Sequence, residues 1–161
     1  MGAGKTSVLA EASDILAMHH VVHAAIDLDA LGLAFLPQAP STDGAMYENL
    51  RSICENYSAR GVRRFMVARA VEDSTQLAMC RKAVAATDMV VCRLKAGNET
   101  MRQRVRLRET GVFGRDYVAR VEKLNLILTS AQLEDFTVTN ENRSLNEVAL
   151  EMLLKAGWTL A

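Results

Sequence analysis

Short apolar segments alternate with amphipathic helical segments along the 161-residue chain, and this alternation constrains the fold more than any other feature. The patterns predict strands over 21–26, 64–68, 89–94 and 136–139. They predict helices over 5–18, 46–57, 74–84, 99–109 and 116–133, and a last helix that starts near Leu145. A loop containing Pro37, Pro40, Ser41 and Gly44 separates the first strand from the second helix. Strands rich in Val, Ile and Phe that are separated by helices predict an α/β fold, in which a parallel sheet is covered on both faces.

Length and composition indicate one ordinary domain, which we expect to span residues 1–161. No apolar run approaches the roughly 20 residues of a membrane span and no secretory signal peptide is predicted, so we expect a cytoplasmic protein without a membrane partner. The formal net charge is zero, which gives no general reason to expect nucleic acid as a partner. Cys54, Cys80 and Cys92 form no C-x-x-C pair and are predicted to be buried, reduced thiols.

The first residues, Gly2-Ala3-Gly4-Lys5-Thr6-Ser7, are followed directly by the apolar stripe of a helix. They correspond to the second half of the phosphate-binding pattern G-x-x-x-x-G-K-[ST], whose first glycine would lie two residues before Met1. Backbone N–H groups of such a loop surround a β-phosphate at the positive end of the following helix. In this pattern Lys5 reaches the β- and γ-phosphates, and the Thr6 hydroxyl holds Mg²⁺. A flexible start that happens to contain Lys-Thr is the alternative interpretation.

Two carboxylates, Asp27 and Asp29, follow the first predicted strand. Residues two apart in a strand point to the same side, so we expect both acids to face one cleft at the carboxyl end of the sheet, where open α/β folds bind ligands. A helix N-cap or a solvated strand end is the alternative for either acid. The next predicted strand leads to Arg69 instead of an acid. This side chain either binds an anionic group of a ligand in the cleft or has a structural role.

The stretch 93–108 is locally basic. Arg104 and Arg108 share one face of the predicted helix, and Gly111 and Gly114 after it are candidate hinges. Guanidinium groups that fold over a phosphoryl group stabilise the charge on its equatorial oxygens. The alternatives are a solvated helix surface and a nucleic-acid patch, and the lack of interleaved aromatic side chains argues against the second.

These motifs occur together in an order found in one superfamily. The glycine-rich start, the Asp27–Asp29 pair, the arginines of 102–108 and the segment Thr139-Asn140-Glu141-Asn142-Arg143-Ser144 resemble small P-loop kinases of the nucleoside-monophosphate, shikimate and gluconate kinase type. More narrowly, the chain resembles uncharacterised bacterial ATP-binding proteins of that superfamily. The resemblance implies a three-layer α/β/α P-loop NTPase fold with strand order 2-3-1-4-5, of which strand 1 is absent from this chain. It also implies a small helical lid at about 97–116.

The resemblance implies ATP-dependent phosphoryl transfer to a hydroxyl or phosphate of a small-molecule acceptor, with ATP and Mg²⁺ as cofactors. A nucleotide-binding but catalytically inactive regulatory or interaction protein is the alternative. We expect a monomer or homodimer that does not bind nucleic acid, and the region 31–47 has no pattern that identifies the acceptor. The implied catalytic residues are Lys5, Asp29, Arg104 and Arg108, and Asp29 would orient or deprotonate the acceptor hydroxyl. The implied nucleotide-binding residues are Gly2, Ala3, Gly4, Lys5, Thr6, Ser7, Asn140 and Arg143. The resemblance places Thr6 and Asp27 near Mg²⁺.

Overall fold

The computed structural model describes residues 1–34, 37 and 43–158. In these residues the helices are α1 (Lys5–Met18), α2 (Asp43–Ser58), α3 (Ser74–Val84), α4 (Asn98–Arg108), α5 (Gly114–Ala131) and α6 (Leu145–Lys155). The strands are β1 (Ala24–Asp27), β2 (Phe65–Ala68), β3 (Cys92–Lys95) and β4 (Phe136–Thr139), and a 3₁₀ helix follows β1 at Leu28–Gly32. The predicted alternation of helices and strands is confirmed. Pro40 and Ser41 of the predicted loop, and with them part of the region 31–47, lie outside the described residues.

The four strands form two parallel pairs. β1 lies beside β2 with Asp27 opposite Ala68, and β3 lies beside β4 with Lys95 opposite Thr139. Among the described residues, no hydrogen-bonded ladder joins β2 to β3. The predicted α/β class with parallel strands is therefore confirmed, whereas a single sheet with five strand positions stays a prediction.

One apolar core links the two strand pairs. Helices α1 and α6 pack against each other and contribute fully buried side chains such as Val8, Leu16 and Val148. Met66 of β2 and Val138 of β4 belong to the same cluster. Burying a side chain of this size stabilises a fold by roughly 1.5–3 kcal/mol, so the shared cluster holds both strand pairs to the same two helices.

The opposite face of the β1–β2 pair is covered by α2 and α3. Phe65 and Val67, on either side of Met66 in β2, pack against buried residues of these helices, including Leu50 and Cys80. Neighbouring strand residues point to opposite faces. Helices therefore cover both faces of this pair, as the sequence predicts for a parallel sheet.

Helices α4 and α5 form a smaller apolar cluster in the region predicted as a lid. Met101 and Val105 of α4 pack against Val121 of α5, and Ala3 from the start of the chain joins them. The first residues of the chain are therefore in contact with the α4–α5 unit.

Two strands start later than the apolar pattern predicts, because the preceding residues make other hydrogen bonds. The Val21 N–H donates to the Leu16 carbonyl at the end of α1, at 2.9 Å. The Val91 N–H donates to the Asp135 carboxylate at 2.7 Å. Gly44, expected in a loop, lies in the first turn of α2.

No helix among the described residues is long and apolar enough to cross a membrane. Cys54 and Cys80 are buried, Cys92 is half-buried, and all three are free thiols. Burial raises the pKa of the Cys54 and Cys92 thiols to about 11. The prediction of burial is confirmed for Cys54 and Cys80, and that of reduced thiols stays a prediction.

Candidate functional site

The glycine-rich start folds tightly against two other parts of the chain. Gly4 is the N-cap of α1 and has a φ of 88°, and Gly2 has a φ of 74°. A Cβ atom on Gly4 would lie 2.2 Å from the Asn140 side-chain nitrogen, and one on Gly2 would lie 2.4 Å from the Met101 carbonyl oxygen. Both positions therefore require glycine for backbone conformation and for space.

The side chain of Asn140 supports the glycine-rich loop before α1. It is 3% exposed, and its side-chain Nδ2 donates to the Ala3 carbonyl at 2.8 Å. Its backbone N–H donates to the Lys95 carbonyl at 2.7 Å, which ties the end of β4 to the end of β3. Arg104 reaches the loop from α4, where its Nη1 donates to the Gly2 carbonyl at 3.4 Å. The backbone before α1 is thus oriented by groups from β4 and α4.

The structure brings Thr6 and Asp27 together. The Thr6 hydroxyl donates to Asp27 Oδ2 at 2.7 Å, and thereby connects the first turn of α1 to the end of β1. Asp27 is also the N-cap of the 3₁₀ helix, since its Oδ1 accepts the Asp29 N–H at 3.2 Å. The N-cap that was the alternative interpretation of Asp27 and the contact with the Thr6 hydroxyl therefore coexist in one carboxylate.

The Thr6–Asp27 pair has the donor chemistry that Mg²⁺ prefers. Mg²⁺ is bound through oxygen, usually by one or two protein groups together with substrate phosphates and waters. Within the described part of the chain, no group of three or more His, Cys, Asp or Glu side chains is arranged to hold a metal ion. The arrangement fits an ion that is bound mainly through phosphate, with Thr6 and Asp27 as the protein side.

Asp29 lies beside Arg69 at the same end of the strands. Arg69 Nη1 is 3.3 Å from Asp29 Oδ1, and its Nη2 is 3.0 Å from Asp43 Oδ1 at the start of α2. The guanidinium also lies over the Tyr47 ring, at 5.9 Å from the centroid. Arg69 Nε is buried and has no hydrogen-bond partner within the described residues. Asp29 belongs to the 3₁₀ helix and not to an extended strand, so Asp27 and Asp29 contact different neighbours.

Several cationic side chains act electrostatically on the Met1 amine, close to the start of α1. Burial, followed by the charge of Lys5, lowers the pKa of the Met1 α-amine to about 6. Arg108 and Arg120 lower this pKa further, and Asp29 acts in the opposite direction. These groups are therefore near enough to act on one point beside the helix N-terminus, which itself favours an anion.

The arginines of α4 separate into two sets. Arg104 faces the loop, while Arg102 and Arg106 form ion pairs with Glu99. Arg108 is 60% exposed, and its Nε donates to Glu109 at 2.8 Å. Arg104 thus lies against the start of the chain. Arg108 is exposed and ion-paired, as Arg106 is, and it acts on the start of the chain through its charge, which lowers the pKa of the Met1 amine.

Arg143 forms its hydrogen bonds with β4 and α6, and not with the loop before α1 in the described residues. Its guanidinium donates to the Thr139 carbonyl at 3.2 Å and to Glu151 at 2.5 Å, and thereby joins the end of β4 to α6. Ser7 lies exposed in the first turn of α1. Among the described residues, neither side chain forms a hydrogen bond or ion pair with the Thr6–Asp27 pair, and their predicted roles in nucleotide binding stay predictions.

Sequence reasoning missed two residues next to the loop. Arg120 of α5 lies 2.8 Å from Glu72, which follows β2, and its charge acts on the Met1 amine. Glu141 accepts hydrogen bonds from the Gly97 N–H and the Thr100 hydroxyl, at the start of α4. Glu141 lies in the segment 139–144 named above but received no role of its own, and Arg120 belongs to no motif. The contacts of both residues join segments far apart in sequence.

No model of a known protein family, no curated protein and no solved structure matches this chain. The resemblance to P-loop kinases therefore depends on the motifs and on the geometry described above.

Proposed function

We propose that the protein transfers the γ-phosphoryl group of ATP to a hydroxyl or phosphate of a small-molecule acceptor. The observation that carries this proposal is the 2.7 Å contact between Thr6 and Asp27. It joins the Gly-Lys-Thr segment to an acid at the end of a neighbouring strand, beside Lys5 and the N-terminus of α1. The contact places a hydroxyl and a carboxylate side by side, and both are oxygen ligands of the kind that Mg²⁺ prefers.

The first step is binding of the nucleotide phosphates. The N–H groups at the start of α1 and the Lys5 ammonium supply positive charge for the β- and γ-phosphates. Thr6 and Asp27 would hold Mg²⁺ on the protein side, and the ion would neutralise charge on the transferred group. Asn140 and Met101 keep the loop backbone in its compact conformation.

Positioning of the acceptor is assigned to Asp29 and Arg69. The Asp29 carboxylate, more than half exposed, is available to accept a hydrogen bond from an acceptor hydroxyl and to remove its proton. Arg69 fixes one oxygen of Asp29 and carries a buried Nε without a partner in the described residues. Since two carboxylates already flank this guanidinium, its proposed role is to position Asp29.

Arg104 and Arg108 are assigned to the transferred phosphoryl group. Charge builds up on its equatorial oxygens during transfer, and nearby guanidinium groups stabilise that charge. Residues 97–116, which contain both arginines, form the proposed lid of the single domain 1–161. In the wider fold we propose that β1, β2, β3 and β4 correspond to strands 2, 3, 4 and 5 of the order 2-3-1-4-5.

Equilibrium binding and turnover test the proposal. The protein should bind ATP in a Mg²⁺-dependent manner, and ATP consumption should accelerate with a nucleoside monophosphate or a polyhydroxy acid. Lys5→Ala should abolish transfer and leave the unfolding midpoint unchanged, whereas Lys82→Ala, an exposed lysine of α3, should match the parent protein. Unchanged turnover in Lys5→Ala would exclude the kinase interpretation. Tight, Mg²⁺-dependent binding without turnover would select the inactive nucleotide-binding alternative.

A further inference from the structure

The start of α4 is held by a carboxylate from a distant part of the chain. Gly97, the N-cap of α4, has no side chain that could accept a hydrogen bond from the first turn. Instead Glu141, the second residue after β4, accepts the Gly97 N–H through Oε2 at 3.1 Å and the Thr100 hydroxyl through Oε1. A carboxylate at a helix N-terminus satisfies donors that the helix leaves unpaired, and it interacts favourably with the helix dipole.

The contact between Glu141 and α4 is close, and it adjoins the support of the loop before α1. A Cβ atom on Gly97 would lie 3.0 Å from Glu141 Oε1 and 3.3 Å from Oε2, so a larger residue at position 97 would crowd the carboxylate. The preceding residue, Asn140, is fixed by its hydrogen bonds to Lys95 and Ala3. Two consecutive residues after β4 thus hold the loop before α1 and the start of α4, and they set the position of one relative to the other.

Arg104 of α4 differs from its neighbours, because it forms no ion pair within the described residues. The other arginines of this helix pair with nearby acids, and they are Arg102, Arg106 and Arg108. Arg104 is half-buried, and in the described part of the chain its one hydrogen bond is the 3.4 Å contact of Nη1 with the Gly2 carbonyl. A guanidinium has five N–H donors, so most of those on Arg104 are available to an anion.

The charges of Glu141 and Arg104 act on each other. The hydrogen bond from Thr100, followed by that from Gly97, lowers the pKa of Glu141, and the charge of Arg104 lowers it further. Both oxygens of Glu141 are nevertheless engaged by the start of α4. The carboxylate therefore attracts the guanidinium without occupying its donors.

We propose that Glu141 is a positioning residue, which anchors the start of α4 so that the Arg104 guanidinium lies unpaired against the loop before α1. The inference rests on the proposed function, in which this guanidinium stabilises the transferred phosphoryl group. Without the Glu141 carboxylate, the Gly97 N–H and the Thr100 hydroxyl lose their acceptor, and α4 is no longer tied to the end of β4 at this point. A misplacement of about 1 Å in a group that acts on the reacting atoms can lower a rate by about 10²-fold.

Steady-state kinetics of ATP consumption tests this role. Glu141→Ala should lower kcat by at least about tenfold with a smaller change in KM, because Arg104 acts on the transition state more than on bound ATP. Glu141→Gln should stay within about threefold of the parent protein, since its carbonyl can accept from Gly97 and its amide can donate to the Thr100 oxygen. If Glu141→Ala does not fold, Glu141→Asp takes its place, because a carboxylate on the shorter side chain cannot keep both contacts unless α4 shifts.

The matched control is Glu99→Ala, which removes an exposed acid from the first turn of the same helix and should stay within about threefold of the parent protein. A double-mutant cycle then separates positioning from a general loss of structure. In an Arg104→Ala background, Glu141→Ala should change kcat by less than about twofold, because the group through which Glu141 acts is gone. Equal losses in both backgrounds would overturn the inference. So would a Glu141→Ala rate equal to that of the control, or a Glu141→Gln rate as low as that of Glu141→Ala.

NMR of the Arg104 guanidinium distinguishes failure of this inference from failure of the proposed function. The Nε–H signal is assigned by its loss in Arg104→Ala and is recorded without nucleotide. In Glu141→Ala it should shift and exchange with solvent about tenfold faster, and in Glu99→Ala it should not change. If the parent protein consumes no ATP, the proposed function fails, and a changed Arg104 signal in Glu141→Ala still supports the positioning role. An unchanged signal in Glu141→Ala overturns that role whatever the activity.

Discussion

Replacing Asn140 by Ala removes the support of the loop before α1. The substitution deletes the Asn140 Nδ2 group, which donates to the Ala3 carbonyl at 2.8 Å. Because Asn140 is only 3% exposed, the Ala3 carbonyl is left without a partner at a buried position. Leaving a buried acceptor without a partner costs about 1–3 kcal/mol, so we expect a loss of about 2 kcal/mol in the free energy of unfolding. For a domain of this size, such a loss lowers the melting temperature by about 4–8 °C.

Asn140→Asp provides a second test, because it keeps the shape and removes the donor. An ionised carboxylate would face the Ala3 carbonyl oxygen, so the pKa of the new carboxyl should be raised in the folded protein above its unfolded value of about 3.9. A group with a raised folded pKa stabilises the fold fully below the unfolded pKa. Its contribution is then lost as the pH rises through the folded pKa. This variant should therefore approach the parent's stability in acid and fall below it at neutral pH.

Urea unfolding at several pH values measures both effects. Asn146→Ala is the matched control, since Asn146 lies exposed on α6 with a 3.1 Å bond to Glu11, and its loss should change stability by less than about 0.5 kcal/mol. The assigned role of Asn140 is refuted if Asn140→Ala is as stable as Asn146→Ala. It is also refuted if Asn140→Asp shows the parent's pH dependence.

Three further predictions concern the acids and thiols. Asp27→Asn should weaken Mg²⁺ binding, so added Mg²⁺ should partly restore the transfer rate of this variant. Asp29→Asn should lower kcat/KM by on the order of 10²-fold with ATP affinity unchanged. Identical Mg²⁺ dependence of the two variants in steady-state assays would contradict these roles. Hydrogen bonds from the Ser144 N–H and hydroxyl lower the pKa of Glu147 below 4.5, so stability present above that pH is lost in acid as the pH falls through the folded pKa. Acid titrations of Glu147→Gln should lack this component, and an unchanged titration would speak against the capping box. Burial and a pKa of about 11 should make Cys54 react with a thiol reagent only after unfolding, and rapid labelling of the native protein would disprove this.

Much of the local structure could be predicted from the sequence. The apolar stripe after the Gly-Lys-Thr segment predicts α1 with the bounds that the structure shows, Lys5–Met18. Asp73, directly before the predicted third helix, is a preferred N-cap residue, and its side chain accepts the Gln76 N–H at 2.8 Å. These features depend on residues within one or two helical turns, so their signal is contained in neighbouring positions.

The candidate site was predictable in part. The pattern identified Thr6 and Asp27 as residues that act on one ion, and the structure places them in contact. It also suggested that Asp29 would face the same way as Asp27, but the 3₁₀ helix rotates Asp29 toward Arg69. The strand periodicity on which that expectation relied ends at Asp27, and a single carboxylate that caps the next turn carries too weak a signal to show this in advance.

Only the tertiary structure decided the long-range features. The sequence by itself determined which segments are helices and strands, and it indicated the side chains to which we assign phosphate chemistry in the proposed function. It did not determine that Asn140 supports Ala3 from across the chain, or that the charge of Arg120 acts on the Met1 amine. Helix and strand patterns arise from contacts between near neighbours, whereas these features arise from packing of segments whose separation along the chain leaves no periodic trace.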